Sequence, residues 1–320
     1  MTRLNPVLVI LSVCLLAGCG NDKVVNVVVD SDLDAIPPDI EAQIREMGVN
    51  ANIPRTAGLY VADFPDEVFA DMHVSRNIHY GPAERNVLDV FTPATMDGPK
   101  PVIIFVHGGG FGAGNKSSPI SPFYDNIPYW VASQGLVGVN INYRYAPDSQ
   151  WPAGIEDLKG VVAWVQEKIA WYGGDPKKIF FWGKSTGASH VADYMADMAK
   201  NMLQPQIAGA IFTSGFYALG NEPAWENYYG SDVSLYPERN ALPHLVTSPT
   251  PILASYAEFD AQMYQDQFNL LLGAMNDAGK SIEALYLRGH SHMSETYAVG
   301  TVDDSLTGPV LDFVLRHSAD

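Results

Sequence analysis

The chain has almost no cysteine. Its two cysteines, Cys14 and Cys19, both fall within the first twenty positions, which leaves the rest of the chain without a disulfide framework or a cysteine-based metal cluster. Basic residues are also scarce. The 19 Lys and Arg stand against 36 Asp and Glu, for a formal charge of −17. A surface of that sign repels phosphate backbones and anionic headgroups, which argues against nucleic-acid binding and against broad adhesion to lipid. There is no internal repeat or low-complexity tract, and no apolar run reaches the about 20 residues that a membrane span needs. What remains is ordinary globular material: 47% of the residues are apolar and 17% charged. That is ample for a core, whether in one large α/β domain or two small ones.

The N-terminus carries an address. Arg3 precedes an apolar stretch from Leu4 to Gly18, broken only by Asn5, Pro6 and Ser12 and ending in Leu16-Ala17-Gly18-Cys19. A positive start, an apolar middle and small residues at the end form the layout of a cleaved signal peptide, here residues 1–18. Leu-Ala-Gly-Cys also resembles the lipobox of bacterial lipoproteins, whose cysteine receives diacylglycerol before cleavage. That resemblance implies lipidation at Cys19 and a location in the bacterial cell envelope, held to a membrane by the N-terminal lipid anchor. By the same resemblance to Gram-negative lipoproteins, Gly20 after the cysteine, in place of Asp, implies the outer membrane, facing the periplasm or the surface. A plain signal peptide or a short uncleaved anchor is the alternative. Residues 19–70, interrupted by Pro37-Pro38 and Pro54, read as a tether that merges into an N-terminal arm.

From about Val74 onward, strand-like and helix-like segments alternate. Leu88-Asp89-Val90-Phe91 alternates as an outer strand does. Pro101 to Val106, Leu136 to Asn142, Ile207 to Thr213, Pro251 to Tyr256 and Ile282 to Leu287 are short buried strands. Ile155, Leu158, Val162, Val165 and Ile169 share one side of a helix over 155–170, and a second helix is expected over about 261–278. This alternation predicts one α/β domain over residues 71–320, a doubly wound, mostly parallel sheet with helices on both faces. Residues 216–248, rich in Trp225, Tyr228, Tyr229 and Tyr236, are expected to form a small cap insertion. Its aromatics either line an acyl or aryl pocket or fill the core.

Residues 183–187 read Gly-Lys-Ser-Thr-Gly, between the apolar run Ile179-Phe180-Phe181-Trp182 and a helix-compatible stretch from Ala188 to Lys200. Strand, glycine-boxed serine and helix make the layout of a nucleophile elbow, a turn so sharp that only glycine fits beside the serine. The embedded Gly-Lys-Ser-Thr is not a phosphate-binding loop, because position 178, where such a loop needs glycine, holds Lys178. His107-Gly108-Gly109-Gly110-Phe111 follows the 101–106 strand. Successive glycines let backbone N–H groups aim at one point, as an oxyanion hole requires.

An acid and then a histidine should follow the serine in the chain. Ala257-Glu258-Phe259-Asp260 follows the 251–256 strand, and Asp260 is the better acid because its shorter side chain fixes an imidazole more rigidly. Of the two histidines in Arg288-Gly289-His290-Ser291-His292, His292 is the expected base and His290 a loop residue. The expected machinery is therefore Ser185, Asp260 and His292, with Gly109, Gly110 and Thr186 supplying oxyanion N–H groups and neither metal nor cofactor involved.

From about Ile78 to His317 the chain resembles the α/β-hydrolase esterases of the hormone-sensitive-lipase and carboxylesterase group. The matching pieces are Tyr80-Gly81-Pro82, Leu88-Asp89-Val90, His107 to Phe111, Asn142-Tyr143-Arg144-Tyr145-Ala146-Pro147, Pro152-Ala153, Glu156-Asp157, Gly173-Gly174-Asp175-Pro176, the elbow, and Glu258-Phe259-Asp260. The resemblance implies a carboxylic-ester hydrolase acting on small-molecule esters, with an Arg144–Asp157 ion pair in a structural role. There are three departures. Lys184 stands where Asp, Glu or His is usual, Thr186 where alanine is common, and Ala188 where a second glycine is frequent. Ser185-Thr186-Gly187-Ala188 also looks like the elbow of arylformamidases. Two other outcomes thus stay open, an amidase on the same triad and a non-catalytic hydrolase-fold binding protein.

Overall fold

The computed structural model describes residues 25–31, 35–49, 52–64, 72–220, 225–303 and 305–319. The expected signal peptide and Cys19 lie outside the described residues.

The strands are β1 (Val28–Asp30), β2 (Met72–His79), β3 (Val87–Pro93), β4 (Lys100–Val106), β5 (Val137–Ile141), β6 (Gly174–Lys184), β7 (Gly209–Thr213), β8 (Ile252–Phe259) and β9 (Glu283–Ser291). Among the described residues they form one sheet in the order β1-β9-β8-β7-β6-β4-β5-β3-β2. β3 runs antiparallel to β2 and β5; all the other pairs are parallel. The longer helices are α1 (Pro38–Met47), α2 (Ile53–Tyr60), α3 (Asn126–Ser133), α4 (Ala153–Lys168), α5 (Thr186–Lys200), α9 (Gln262–Asp277) and α11 (Thr307–Arg316). Four-residue helices are α6 (Glu226–Tyr229), α7 (Tyr236–Arg239), α8 (Leu242–Leu245) and α10 (Ser294–Tyr297). No helix of the described residues is long and apolar enough to cross a membrane.

The central strands are apolar where both faces are covered, and alternate residues serve different faces; edge strand β2 is more polar and partly exposed. Val102, Ile104 and Val106 of β4 and Ile179 and Phe181 of β6 join one core with Leu158 and Val161 of α4, Val191 of α5 and Leu271 of α9. Their neighbours Ile103, Phe105, Phe180 and Trp182 point the other way, into a core with Trp130 of α3 and Phe313 of α11. The strands β4 to β9 run parallel, so the carboxyl ends of β4, β6, β8 and β9 gather at one edge.

The region expected to be a tether is more ordered than its prolines suggested. Pro38 and Pro54 sit in the first turns of α1 and α2, where a missing N–H costs nothing and the fixed φ favours the helix. Asn52 caps α2 by accepting the Arg55 N–H at 3.1 Å. Read as breakers, these prolines are helix starters. Ile44, Met47, Tyr60 and Phe64 of this arm pack on Phe123, Met293, Tyr297 and Ala298. β1 extends the sheet beyond β9, with Val28 opposite Ala284.

The arm therefore braces the segment that follows β9. Ile44 is fully buried there, so Ile44→Ala should cost about 2–5 kcal/mol through lost burial and the cavity left behind. Urea unfolding of the two chains measures this; a change below about 1 kcal/mol would show that the arm is not integral to the fold.

Candidate active site

β6 delivers the serine. Ser185 follows its last residue with φ 54° and ψ −124° and immediately precedes α5. A left-handed φ is costly for any residue with a Cβ, and here the surroundings impose it. Ser185 N–H donates to Thr213 O at 2.8 Å, continuing the ladder to β7, while Ser185 O accepts from Ala188 N at 2.9 Å, opening the helix. The boxing glycines are a matter of space. A Cβ on Gly187 would stand 2.0 Å from the carbonyl oxygen of Val106, and one on Gly183 would stand 2.5 Å from Ala188 Cα. β4 and α5 could not approach each other with any larger residue.

The 107–111 loop leaves β4 beside this turn. Tyr143 stacks on His107 at 4.4 Å and donates its hydroxyl to His107 O at 2.9 Å. Phe111 N–H donates to Thr186 Oγ1 at 3.4 Å, so the branched side chain at this departure ties the loop to the elbow. Gly109 has φ +137°, which a larger residue adopts only with strain.

The acid and the histidine meet at the ends of β8 and β9. His292 Nδ1 lies 2.6 Å from Asp260 Oδ1. The other carboxylate oxygen of Asp260 accepts Ala257 N–H at 2.8 Å and the Ser214 hydroxyl at 2.6 Å. His290 points elsewhere, with Nδ1 3.1 Å from Ser294 Oγ and Nε2 3.2 Å from Asp303 Oδ2. Glu258 is taken up by Arg45 at 2.9 Å and by Gly289 N–H at 2.8 Å. The Arg144–Asp157 pair closes at 2.8 Å, away from these groups.

The tertiary fold also adds residues that had no signal in the sequence. Tyr264, four residues beyond Asp260 on α9, has its hydroxyl 3.4 Å from Ser185 Oγ and its ring stacked on His292 at 4.1 Å. It bridges nucleophile and imidazole. Ser214, at the end of β7, donates to Asp260 and lies 2.7 Å from Glu295 Oε1. Glu295 on α10 is ion-paired with Lys184, whose ammonium is also 3.3 Å from His292 Nδ1. Ligand atoms of Asp260, His292 and Glu295 lie within 4.8 Å of one another, a spacing that suits a cation, and the Lys184 ammonium is the cation set among them.

The aromatics of the 216–248 segment are buried. Phe216 stacks on Tyr264 at 4.7 Å and meets Trp225 edge-on at 4.6 Å, and Phe111 stacks on Tyr228 at 4.5 Å. They form one buried apolar cluster with Phe111, so the contacts seen are those of core filling.

The surroundings set distinct proton affinities. Burial alone would raise the Asp260 carboxyl, but His292, Lys184 and the Ser214 hydroxyl outweigh it and hold the group below its ordinary range. Burial and the Lys184 charge push His292 below its ordinary 6.5, against the pull of Asp260. Burial raises the Glu295 carboxyl, and the Lys184 charge opposes that rise. His107 and His190, with burial driving them down to about 4 and about 3, are neutral packing groups.

Similarity to known proteins follows the same lines. A family described as BD-FAE matches residues 88–214, from β3 through the elbow to Ser214. Esterase LipQ of Mycobacterium tuberculosis is 27% identical over 308 residues, covering 88% of this chain and 72% of LipQ. Carboxylesterase NlhH of the same organism is 30% identical over 146 residues, covering 45% of this chain and 44% of NlhH. Other curated relatives are matched over about a quarter of their length. Among solved structures, Esterase B from Lactobacillus rhamnosis, inhibited by a tributyrin phosphonate, superposes with a TM-score of 0.68 at 17% identity, covering 90% of this chain and 97% of that one. This is the α/β-hydrolase fold. In α/β-hydrolase order, the serine follows the central strand, the acid comes after a later strand and the histidine after the last, and Ser185, Asp260 and His292 occupy those places.

Because burial and Lys184 both disfavour the imidazolium, His292 should titrate below pH 6.5 in the folded protein. NMR of its ring protons across pH 4–8 reads this directly; a midpoint above 6.5 would contradict the electrostatic account.

Proposed function

We propose that this protein is a serine carboxylesterase acting on short-chain acyl or aryl esters through an acyl-enzyme on Ser185. Its relatives LipQ and NlhH are named an esterase and a carboxylesterase, and those names support carboxylic ester hydrolysis as the coarse reading. The observation that carries the finer reading is the 2.6 Å contact between Asp260 and His292, with the His292 ring stacked on Tyr264, whose hydroxyl lies 3.4 Å from Ser185 Oγ on its strained elbow.

Asp260 holds the Nδ1–H tautomer of His292, which leaves Nε2 free to accept a proton. As Ser185 Oγ attacks the ester carbonyl, its proton passes to Nε2, and the carbonyl oxygen becomes an oxyanion. Backbone N–H groups of Gly109, Gly110 and Thr186 receive that charge; losing one such donor typically costs about 3–4 kcal/mol of barrier. The tetrahedral intermediate collapses, and imidazolium protonates the departing alcohol. Water, deprotonated by His292, then frees the acid and regenerates Ser185. The Tyr264 hydroxyl, raised by burial to about 12, stays protonated throughout and is a partner for Ser185 Oγ before attack.

Two features support small substrates. The described part of the cap contains only four-residue α-helices, so it offers no long apolar lid. Tyr264, whose hydroxyl lies 3.4 Å from Ser185 Oγ, packs in an aromatic cluster with Phe216 and Trp225. A fluorophosphonate probe should label the wild-type chain and not Ser185→Ala. Folded wild type that resists the probe would favour a binding protein instead. On p-nitrophenyl esters from acetate to palmitate, activity should peak at the short end; a peak at palmitate would overturn the short-chain assignment. Faster turnover of a matched N-formyl arylamine would move the reading to an amidase.

The same proposal places the enzyme in the bacterial envelope, anchored by lipid on Cys19 at the end of Leu16-Ala17-Gly18-Cys19. Expressed in a Gram-negative host, the wild-type chain should sediment with outer membranes and Cys19→Ser should be released to the soluble fraction. Equal partition of the two would remove the anchor.

A further inference from the structure

Beside the proposed triad lies a charge network that the acyl-enzyme route does not call on. Lys184 and Glu295 are ion-paired with 1% and 0% of their side chains exposed. The Ser214 hydroxyl spans from Glu295 Oε1 at 2.7 Å to Asp260 Oδ2 at 2.6 Å. It has one proton for two carboxylates, so it couples their charge states. Lys184 Nζ stands 3.3 Å from His292 Nδ1, the nitrogen that faces Asp260. A buried ion pair is a poor stabiliser, because desolvating both ions offsets their attraction and an apolar pair of the same size commonly does as well. Its place against the imidazole is what needs an explanation. In the family this chain resembles, the position before the serine usually holds an acid or histidine, so a cation here reverses the local sign and brings its own counter-charge from α10.

We propose that Lys184 and Glu295 are a positioning pair whose balance of charge sets how readily His292 accepts a proton. The inference rests on the reading of Ser185, Asp260 and His292 as the triad. The groups facing His292 are Asp260 from the β8–α9 turn, Lys184 from β6 and the neutral Tyr264 hydroxyl from α9, with Glu295 of α10 acting through Lys184. An ammonium this close opposes the imidazolium that forms as Ser185 attacks. The Glu295 carboxylate draws that ammonium to itself and offsets its field. With both present, the pair is close to neutral and the ring keeps a proton affinity suited to a base. On this proposal Glu295 is ionised while His292 titrates, because the Lys184 ammonium in direct contact opposes the burial that raises its carboxyl.

The two single variants should move the acid limb of kcat/KM in opposite directions. Glu295→Gln leaves the ammonium uncompensated, His292 becomes harder to protonate, and the limb should shift about one pH unit lower. Lys184→Met removes the cation, the imidazolium is favoured, and the limb should shift at least about one unit higher. The double variant should lie between them, near wild type. The measurement is the pH profile of p-nitrophenyl acetate hydrolysis by the full chain, with circular dichroism to confirm folding. Folded single variants whose rates fall equally at every pH would overturn the proposal and leave the pair a packing feature. If Lys184→Met does not fold, the near-isosteric Glu295→Gln decides alone: a downward shift supports the pair and an unmoved limb sinks it. Ser185→Ala in parallel separates the two levels, since activity surviving in that variant would fault the nucleophile and not the pair.

Discussion

The approach of α5 to β4 is the contact on which the rest of the site depends. It brings a helix start against a strand's own carbonyls, with room for glycine alone at position 187. That approach forces Ser185 to φ 54°, and the bonds to Thr213 O and from Ala188 N hold it there. The strain, of order 1–3 kcal/mol for such a residue, is met by packing on both faces of the sheet. Val106 and Phe181 on one face and Phe105 and Trp182 on the other are fully or almost fully buried. A backbone held this firmly presents one hydroxyl at the sheet's carboxyl edge and leaves the partners to come from other strands.

Those partners arrive with a support of their own. The segment after β9 carries His292 and continues into α10, whose Tyr297 stacks on Phe123 at 4.1 Å. The N-terminal arm seals the same cluster from outside through Ile44, Tyr60 and Phe64. Arg45 adds a bond to Glu258 and lies over the Phe259 ring at 5.2 Å, on the stretch that leads to Asp260. The arm thus braces the acid and histidine segments from behind. A region that reads as a tether in composition is part of what fixes the geometry.

Much of this was legible in the chain because its signals are local. Alternating apolar strands and helices specify a covered parallel sheet, and the strands legible there agree within a few residues with β3, β4, β5, β7, β8 and β9, while β1 and β2 carried no clear strand pattern. β6 begins at Gly174, well before the apolar run at Ile179, because ladder pairing to Lys100 needs no apolar side chain. Glycine spacing marked the elbow and the loop before it. The prolines misled because their meaning depends on position: the same residue breaks a helix interior and starts a first turn. Tyr264, Ser214 and Glu295 carried no mark, since a tyrosine on a helix, a serine after a strand and a glutamate in a short turn are common everywhere.

The sequence by itself determined the class of fold, the turn that exposes Ser185 and the candidate acid and histidine, because close backbone packing and chain order restrict which residues can stand there. Only the tertiary structure decided which histidine meets Asp260 and that a buried lysine and a second carboxylate share its surroundings. Lys184 and Glu295 are far apart in the chain and ion-paired in the fold. Charge–charge effects of that kind depend on distance and burial, and neither is written in the order of residues.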